Sequence, residues 1–205
     1  MRPSTLLDIT RPLTPASRPF PGDPPLVLIG SAEHGWRTTH LSLSAHSGTH
    51  LDAPAHLHPA GATLDALPLS RFLLPARVID AGDAEHVDAG LVERAGLARG
   101  CAALFRTRNS GLRDLDPARG FAALTEGAAA ALVRQGCTLA GLDGPSAAPV
   151  QSEDLPAHRI LLEAGLLILE NLMLADAEPG DWTLACFPLL LPGVEASPVR
   201  AVLLR

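Results

Sequence analysis

Residues 125–146 read "TEGAAAALVRQGCTLAGLDGPS", and the order of elements in them decides the fold class. Thr125 can cap a helix whose alanine-rich body runs to Gly136, a residue suited to the left-handed turn that ends helices. Next, "CTLAGL" is apolar without alternation, as expected of a strand buried on both faces, and "DGPS" follows as a turn. A helix handing over to a two-sided buried strand is the repeating unit of α/β architecture.

The same unit extends in both directions. Upstream, "CAALFRT" (101–107) reads as a buried strand. Downstream, "DLPAHRILLEA" (154–164) reads as a helix stopped by Gly165, followed by the strand "LLILEN" (166–171). The order β-α-β-α-β over 101–171 predicts a parallel sheet. The amino-terminal part is strand-rich, with "LVLIG" (26–30), "RTTHLSLSAH" (37–46) and "ARVIDAG" (76–82), then a short helix, "AGLVERAG", capped by Asp88 and ended at Gly96. At the end, "TLACFPLLL" and "VRAVLLR" are strand-like. Proline-dense residues 1–25 suit neither a helix nor a central strand and read as an ordered arm. The expectation is one α/β domain over 1–205 with a mixed sheet and a proline-rich arm over 1–25.

Composition narrows the function. The 205 residues are 47% hydrophobic and 19% charged, which excludes general disorder. A net charge of −6 and the lack of a basic cluster argue against a nucleic-acid partner. No apolar run approaches the roughly 20 residues that span a bilayer. The start lacks a signal-peptide core, and Cys101, Cys137 and Cys186 form no CxxC pair, as expected of reduced core thiols in a cytoplasmic protein. All 16 basic residues are arginine and there is no tyrosine. Acid, base or nucleophile must therefore be His, Asp, Glu, Ser, Thr, Cys or a metal-activated water.

Four of the eight histidines lie in "SAHSGTHLDAPAHLH" (44–58). On a straight strand His46 and Asp52 would stand ~20 Å apart, while one ion accepts ligands at ~2.0–2.2 Å. A continuous helix brings His46 and His50 together but turns Asp52 away. A bend at Gly48 lets all three converge, and the two oxygens of Asp52 could bridge two ions. Imidazoles with a carboxylate suit zinc, or manganese and iron. His158 and Glu170 are candidates for a second group. They would be ~18 Å apart on one helix, but a reversal at Gly165 could bring them together, Glu170 then closing a parallel strand where such folds place their sites. A polar loop without function, or a Ser47–His50–Asp52 nucleophilic set, would use the same residues. No G-x-S-x-G elbow, dinucleotide fingerprint or P-loop is present.

The segment "HSGTHLDAPAH" (46–56) resembles the HxGTHxDxPxH signature of the cyclase-like metal hydrolase family, which includes the bacterial kynurenine formamidases (arylformamidases). The likeness extends through "LLDITRPLTPASRPFPGD", "GLDGPS", "AHRILLEAGLLILENL" and the carboxyl-terminal "PGDWTLACFPLLLPGVEASPVRAVLLR". It implies a swivelling β/β/α fold, a homodimer or homotetramer, and two divalent ions per chain, zinc or else manganese. The implied ligands are His46, His50 and Asp52 for one ion, with Asp52 bridging to a second completed by His158 and Glu170. His56 is the implied proton donor and acceptor, and Phe20 stands where formamidases carry a tryptophan that stacks on the substrate. The implied activity is hydrolysis of N-formyl-L-kynurenine to L-kynurenine and formate by a metal-bound hydroxide, in tryptophan breakdown. The alternatives are opening of a cyclic amide or lactone, as in isatin hydrolase, and a metal-binding domain without catalysis. Phe20 and Gly144 depart from the formamidase pattern at positions that bear on substrate.

Overall fold

The Thr125 hydroxyl accepts from the Ala128 amide at 3.1 Å and Gly136 takes φ +74°, so the helix between them begins and ends where its caps place it. The computed structural model describes residues 5–33, 35–112, 115, 116, 118, 120–149, 152 and 154–205; residues 1–4 of the expected arm lie outside them. In chain order the elements are β1 (Leu6–Asp8), β2 (Val27–Ser31), β3 (Thr38–Ser42), β4 (His50–Asp52), β5 (Leu73–Gly82), β6 (His86–Val87), α1 (Ala89–Arg94), β7 (Ala102–Thr107) and β8 (Ala123–Leu124). Then come α2 (Glu126–Gln135), β9 (Leu139–Leu142), α3 (Pro156–Glu163), β10 (Leu167–Glu170), β11 (Gly180–Ala185), β12 (Ala196–Pro198) and β13 (Val202–Leu204).

Nine strands form one mixed sheet in the order β1-β13-β11-β5-β7-β9-β10-β4-β12. Its centre, β5-β7-β9-β10, is parallel, as the 101–171 pattern predicts. The outer pairings are antiparallel. Alternate residues feed two cores. Ala103, Phe105, Ala140, Leu142 and Ile168 pack with Val92, Leu132 and Leu161 of the three helices. Leu104, Leu139, Leu167 and Leu169 face a second cluster that also holds Leu51, Leu184 and Leu203. Strands from both ends of the sheet share that second cluster, so the sheet curls around it.

Two elements differ from the sequence reading. Leu6–Asp8 of the arm is a strand, paired with Leu204–Val202 at the sheet edge; it precedes the first proline of the dense run, so no donor is missing. His50–Asp52 is also a strand, held between β10 and β12. Three residues are too few to display a period. The thiols of Cys101, Cys137 and Cys186 are buried and free, as expected of core residues. Among the described residues no helix is long and apolar enough to cross a membrane.

The turn after β9 joins the sheet to the wall of the site. Buried Asp143 accepts from the Thr107 amide and hydroxyl, both at 2.7 Å, from the Ser110 amide at 3.1 Å and hydroxyl at 2.5 Å, and from Asn109 Nδ2 at 3.3 Å. One carboxylate therefore fixes residues 107–110. Replacing Asp143 with Ala strands several buried donors, at a cost of about 3 kcal/mol or more. Urea unfolding should show this as a fall in midpoint with an unchanged slope.

Candidate metal centre

Gly48 has φ +64°, a conformation other residues rarely adopt, and it ends the turn that begins with the Ser47 amide bonding to the Ser44 carbonyl. The chain then enters β4, where His50 and Asp52 point to one face because strand side chains alternate. The antiparallel register sets His50 opposite Glu170 and Asp52 opposite Ile168, so all three functional side chains share the helix-covered face. The intervening Leu51 and Leu169 enter the other core. His158, buried on α3, descends onto this group from the helix layer.

The five expected ligand residues meet. Nδ1 of His46 lies 2.9 Å from Oδ1 of Asp52, and Nε2 of His50 lies 3.5 Å from the same oxygen. On the other side, Nε2 of His158 is 3.0 Å from Oε1 of Glu170 and 4.0 Å from Oδ2 of Asp52. His50 Nε2 also stands 3.4 Å from Glu170 Oε2. Two groups result, His46–His50–Asp52 and Asp52–His158–Glu170, each with ligand-type atoms within 4.8 Å of one another. Asp52 belongs to both.

The electrostatics are those of a site built for cations. Burial disfavours charge on His50, yet Asp52 and Glu170 outweigh it and raise its pKa to about 9. His46 and His158 are raised too, the carboxylates again overcoming burial. Burial likewise works against Asp52 and Glu170, but the surrounding imidazoles hold both well below the ordinary carboxylate range. Even so, His50 Nε2, Asp52 Oδ1 and His158 Nδ1 are buried without a hydrogen-bond partner among the described residues. Unsatisfied buried polar atoms are costly. Two of these three face the space between the ligand residues, so the donor set fits divalent ions that accept nitrogen and oxygen.

His56 ends a 3-10 turn begun by Pro54. Its ring centroid is 4.5 Å from that of His46 and 6.2 Å from that of His158. It is absent from both ligand groups, and burial lowers its pKa, keeping it neutral. His58 is turned away toward Glu163, at 3.7 Å. A cavity of about 750 Å³ opens over the ligand residues, and His56 and Phe20 line it. Arg11, Arg18 and Asp23 of the arm also line it, and the sequence reading did not single them out. Their only signal was position, in a segment expected to form an ordered arm. Arg18 bonds Asp116 at 2.5 Å, while the Arg11 amide bonds Thr49 Oγ1 at 2.8 Å, tying the arm to the ligand loop.

Comparison with known proteins agrees with this geometry. Residues 7–149 match the Cyclase family model. A kynurenine formamidase of Salinibacter ruber is 37% identical over 97% of this chain and 96% of its own. A predicted metal-dependent hydrolase from Bacillus stearothermophilus superposes with a TM-score of 0.87 at 26% identity, over 97% of each chain. An isatin hydrolase bound to the product analogue thioisatinate gives 0.84 at 22% identity over 98% of this chain and 92% of that one, a likeness of fold alone. With a family model spanning most of its length and a full-length relative of this identity, the chain belongs to the Cyclase family.

Proposed function

We propose that this protein hydrolyses N-formyl-L-kynurenine to L-kynurenine and formate, using two divalent ions per chain. The observation that carries the reading is Asp52, whose two oxygens face two separate ligand groups while His56 stands beside both and belongs to neither. The 37% identical kynurenine formamidase supports the choice of substrate. His46, His50 and Asp52 would hold one ion and Asp52, His158 and Glu170 the other. Zinc suits this set, with manganese second. Bound there, the ions supply Lewis acidity, which lowers the pKa of water from ~15.7 toward ~7 and polarises the formyl carbonyl.

The chain's residues supply the rest. Neutral His56 takes a proton from the attacking water and passes it to the departing aniline nitrogen, so that the C–N bond breaks without expelling an anion. Phe20 can stack on the aryl ring, with less area than a tryptophan and no N–H donor. Arg11 and Arg18 line the cavity wall, the latter paired with Asp116, and guanidinium donors there suit the amino-acid carboxylate of this substrate. Isatin has no carboxylate to meet them, so the cyclic-amide alternative gains nothing from the wall. A metal-binding domain without catalysis would have no use for His56.

The surface supports oligomerisation. All ten residues of β2 and β3 are exposed, and Leu28, 44% exposed, pairs across the hairpin with Leu41, 60% exposed. The chain exposes 10505 Å², against about 9,100 Å² for a monomer of this mass. The excess is the size of one side of a stable interface. We infer a homodimer that covers this hairpin.

Three outcomes are expected. Replacing His56 with Ala should cut kcat by about 10²–10⁴-fold while metal analysis still finds two ions per chain; an inactive variant that has also lost its metal would reassign His56 to structure. In an absorbance screen, N-formyl-L-kynurenine should be turned over faster than formanilide, which lacks the carboxylate, and isatin should be the poorest. Good turnover of isatin with none of the formylated amino acid would reverse the substrate assignment. By light scattering the native chain should have twice the mass of a variant carrying Leu28→Glu and Leu41→Glu; equal monomeric masses would remove the hairpin interface.

A further inference from the structure

We propose that Glu195 is a positioning residue of the metal centre, holding the imidazole of His46 from outside the ligand group. The inference rests on the reading of His46 as a ligand. An imidazole binds an ion through one nitrogen, and the hydrogen bond made by the other fixes which nitrogen that is. The two ring nitrogens of His46 face different carboxylates. Nδ1 meets Asp52 Oδ1 at 2.9 Å, inside the ligand group, and Nε2 lies 3.3 Å from Glu195 Oε1, outside it. With its proton on Nε2, on the side of Glu195, the ring offers the lone pair of Nδ1 to the ion.

His50 shows the same arrangement with the nitrogens exchanged. Its Nε2 faces Asp52 and Glu170, and its Nδ1 lies 2.9 Å from the Gly48 carbonyl. That ring is therefore fixed by backbone, and His46 by a side chain. The main chain brings Glu195 there. Its carbonyl accepts from the Ala53 amide at 2.8 Å, and the next residue, Ala196, is registered against Asp52. The preceding turn is anchored by the Gly193 amide bonding to Asp65 at 3.1 Å. The strand that flanks β4 thus delivers a carboxylate to the edge of the centre. The Glu195 side chain is 40% exposed and that of His46 18%, so Glu195 approaches from the solvent side and puts a negative charge behind the ligand, strengthening its donation to a cation.

Zinc affinity, measured on metal-stripped protein by competition with a chromophoric chelator, tests this without any assay of turnover. Glu195→Ala should weaken one of the two ions by about 10–100-fold, the usual effect of removing such an outer partner, and leave the other unchanged. Glu195→Gln keeps an acceptor but not the charge and should recover part of the loss. The thermal midpoint of the metal-free protein should move little, because the side chain is only partly covered. Unchanged affinity for both ions in Glu195→Ala, or equal weakening of both with loss of metal-free stability, would overturn the role. His46→Ala is the control for the underlying reading. It should lose one ion outright, and a variant retaining both would overturn the ligand assignment of His46 and the Glu195 role with it.

Discussion

The antiparallel pairing of β4 with β10 is the constraint from which the centre follows. Opposing His50 to Glu170 and Asp52 to Ile168 places two carboxylates and an imidazole on one buried face. A slip of one residue would send Leu51 and Leu169 into the site and the ionisable groups into the apolar core. The register is therefore held by packing on the far face of the sheet, where Leu51 and Leu169 are fully buried. Metal chemistry here depends on hydrophobic burial on the opposite side of a three-residue strand.

Two carboxylates within reach of one another, shielded from water, require positive charge nearby. The fold meets that requirement with imidazoles rather than with arginine or lysine. An imidazole can be neutral and coordinate, or protonated and compensate, whereas a guanidinium can only compensate. Without ions, the raised affinity of His50 for its proton balances Asp52 and Glu170. With ions, those protons must leave, so binding of metal and loss of protons are linked. No arginine belongs to either ligand group; the two that line the cavity, Arg11 and Arg18, come from the arm.

The parallel half of the sheet was legible in the sequence because each of its elements carries its own boundary marks: Thr125 and Gly136 on α2, Gly165 after α3, and unbroken apolar runs for β7, β9 and β10. Convergence at Gly48 was legible for a similar reason, since no straight element could bring His46 and Asp52 together. Spacing alone left His158 and Glu170 open, because their meeting depends on the reversal at Gly165 and on the packing of α3 over β10. Resemblance to a family, not the residues themselves, brought them into the ligand set. Glu195, Arg11 and Arg18 carried no local mark at all. Each reaches the site from more than thirty residues away along the chain or from an irregular segment, by strand pairing and by the path of the arm, and such long-range placement has no period to read.

That division of labour has a functional consequence. The ligand groups come from strands and a helix locked into two cores, so their geometry is insensitive to changes elsewhere. Much of the cavity wall comes instead from the arm, which carries Phe20, Arg11 and Arg18 and is tied down by contacts such as the Arg11 amide to Thr49. Under the proposed function, substitution there would alter which molecule fits and leave the ligand residues in place. A fold arranged in this way keeps one hydrolytic chemistry while its substrates diverge. Phe20 lines the cavity without belonging to either ligand group, so under the proposed function an exchange at this position would act on affinity for the aryl end of the substrate rather than on the ligand residues.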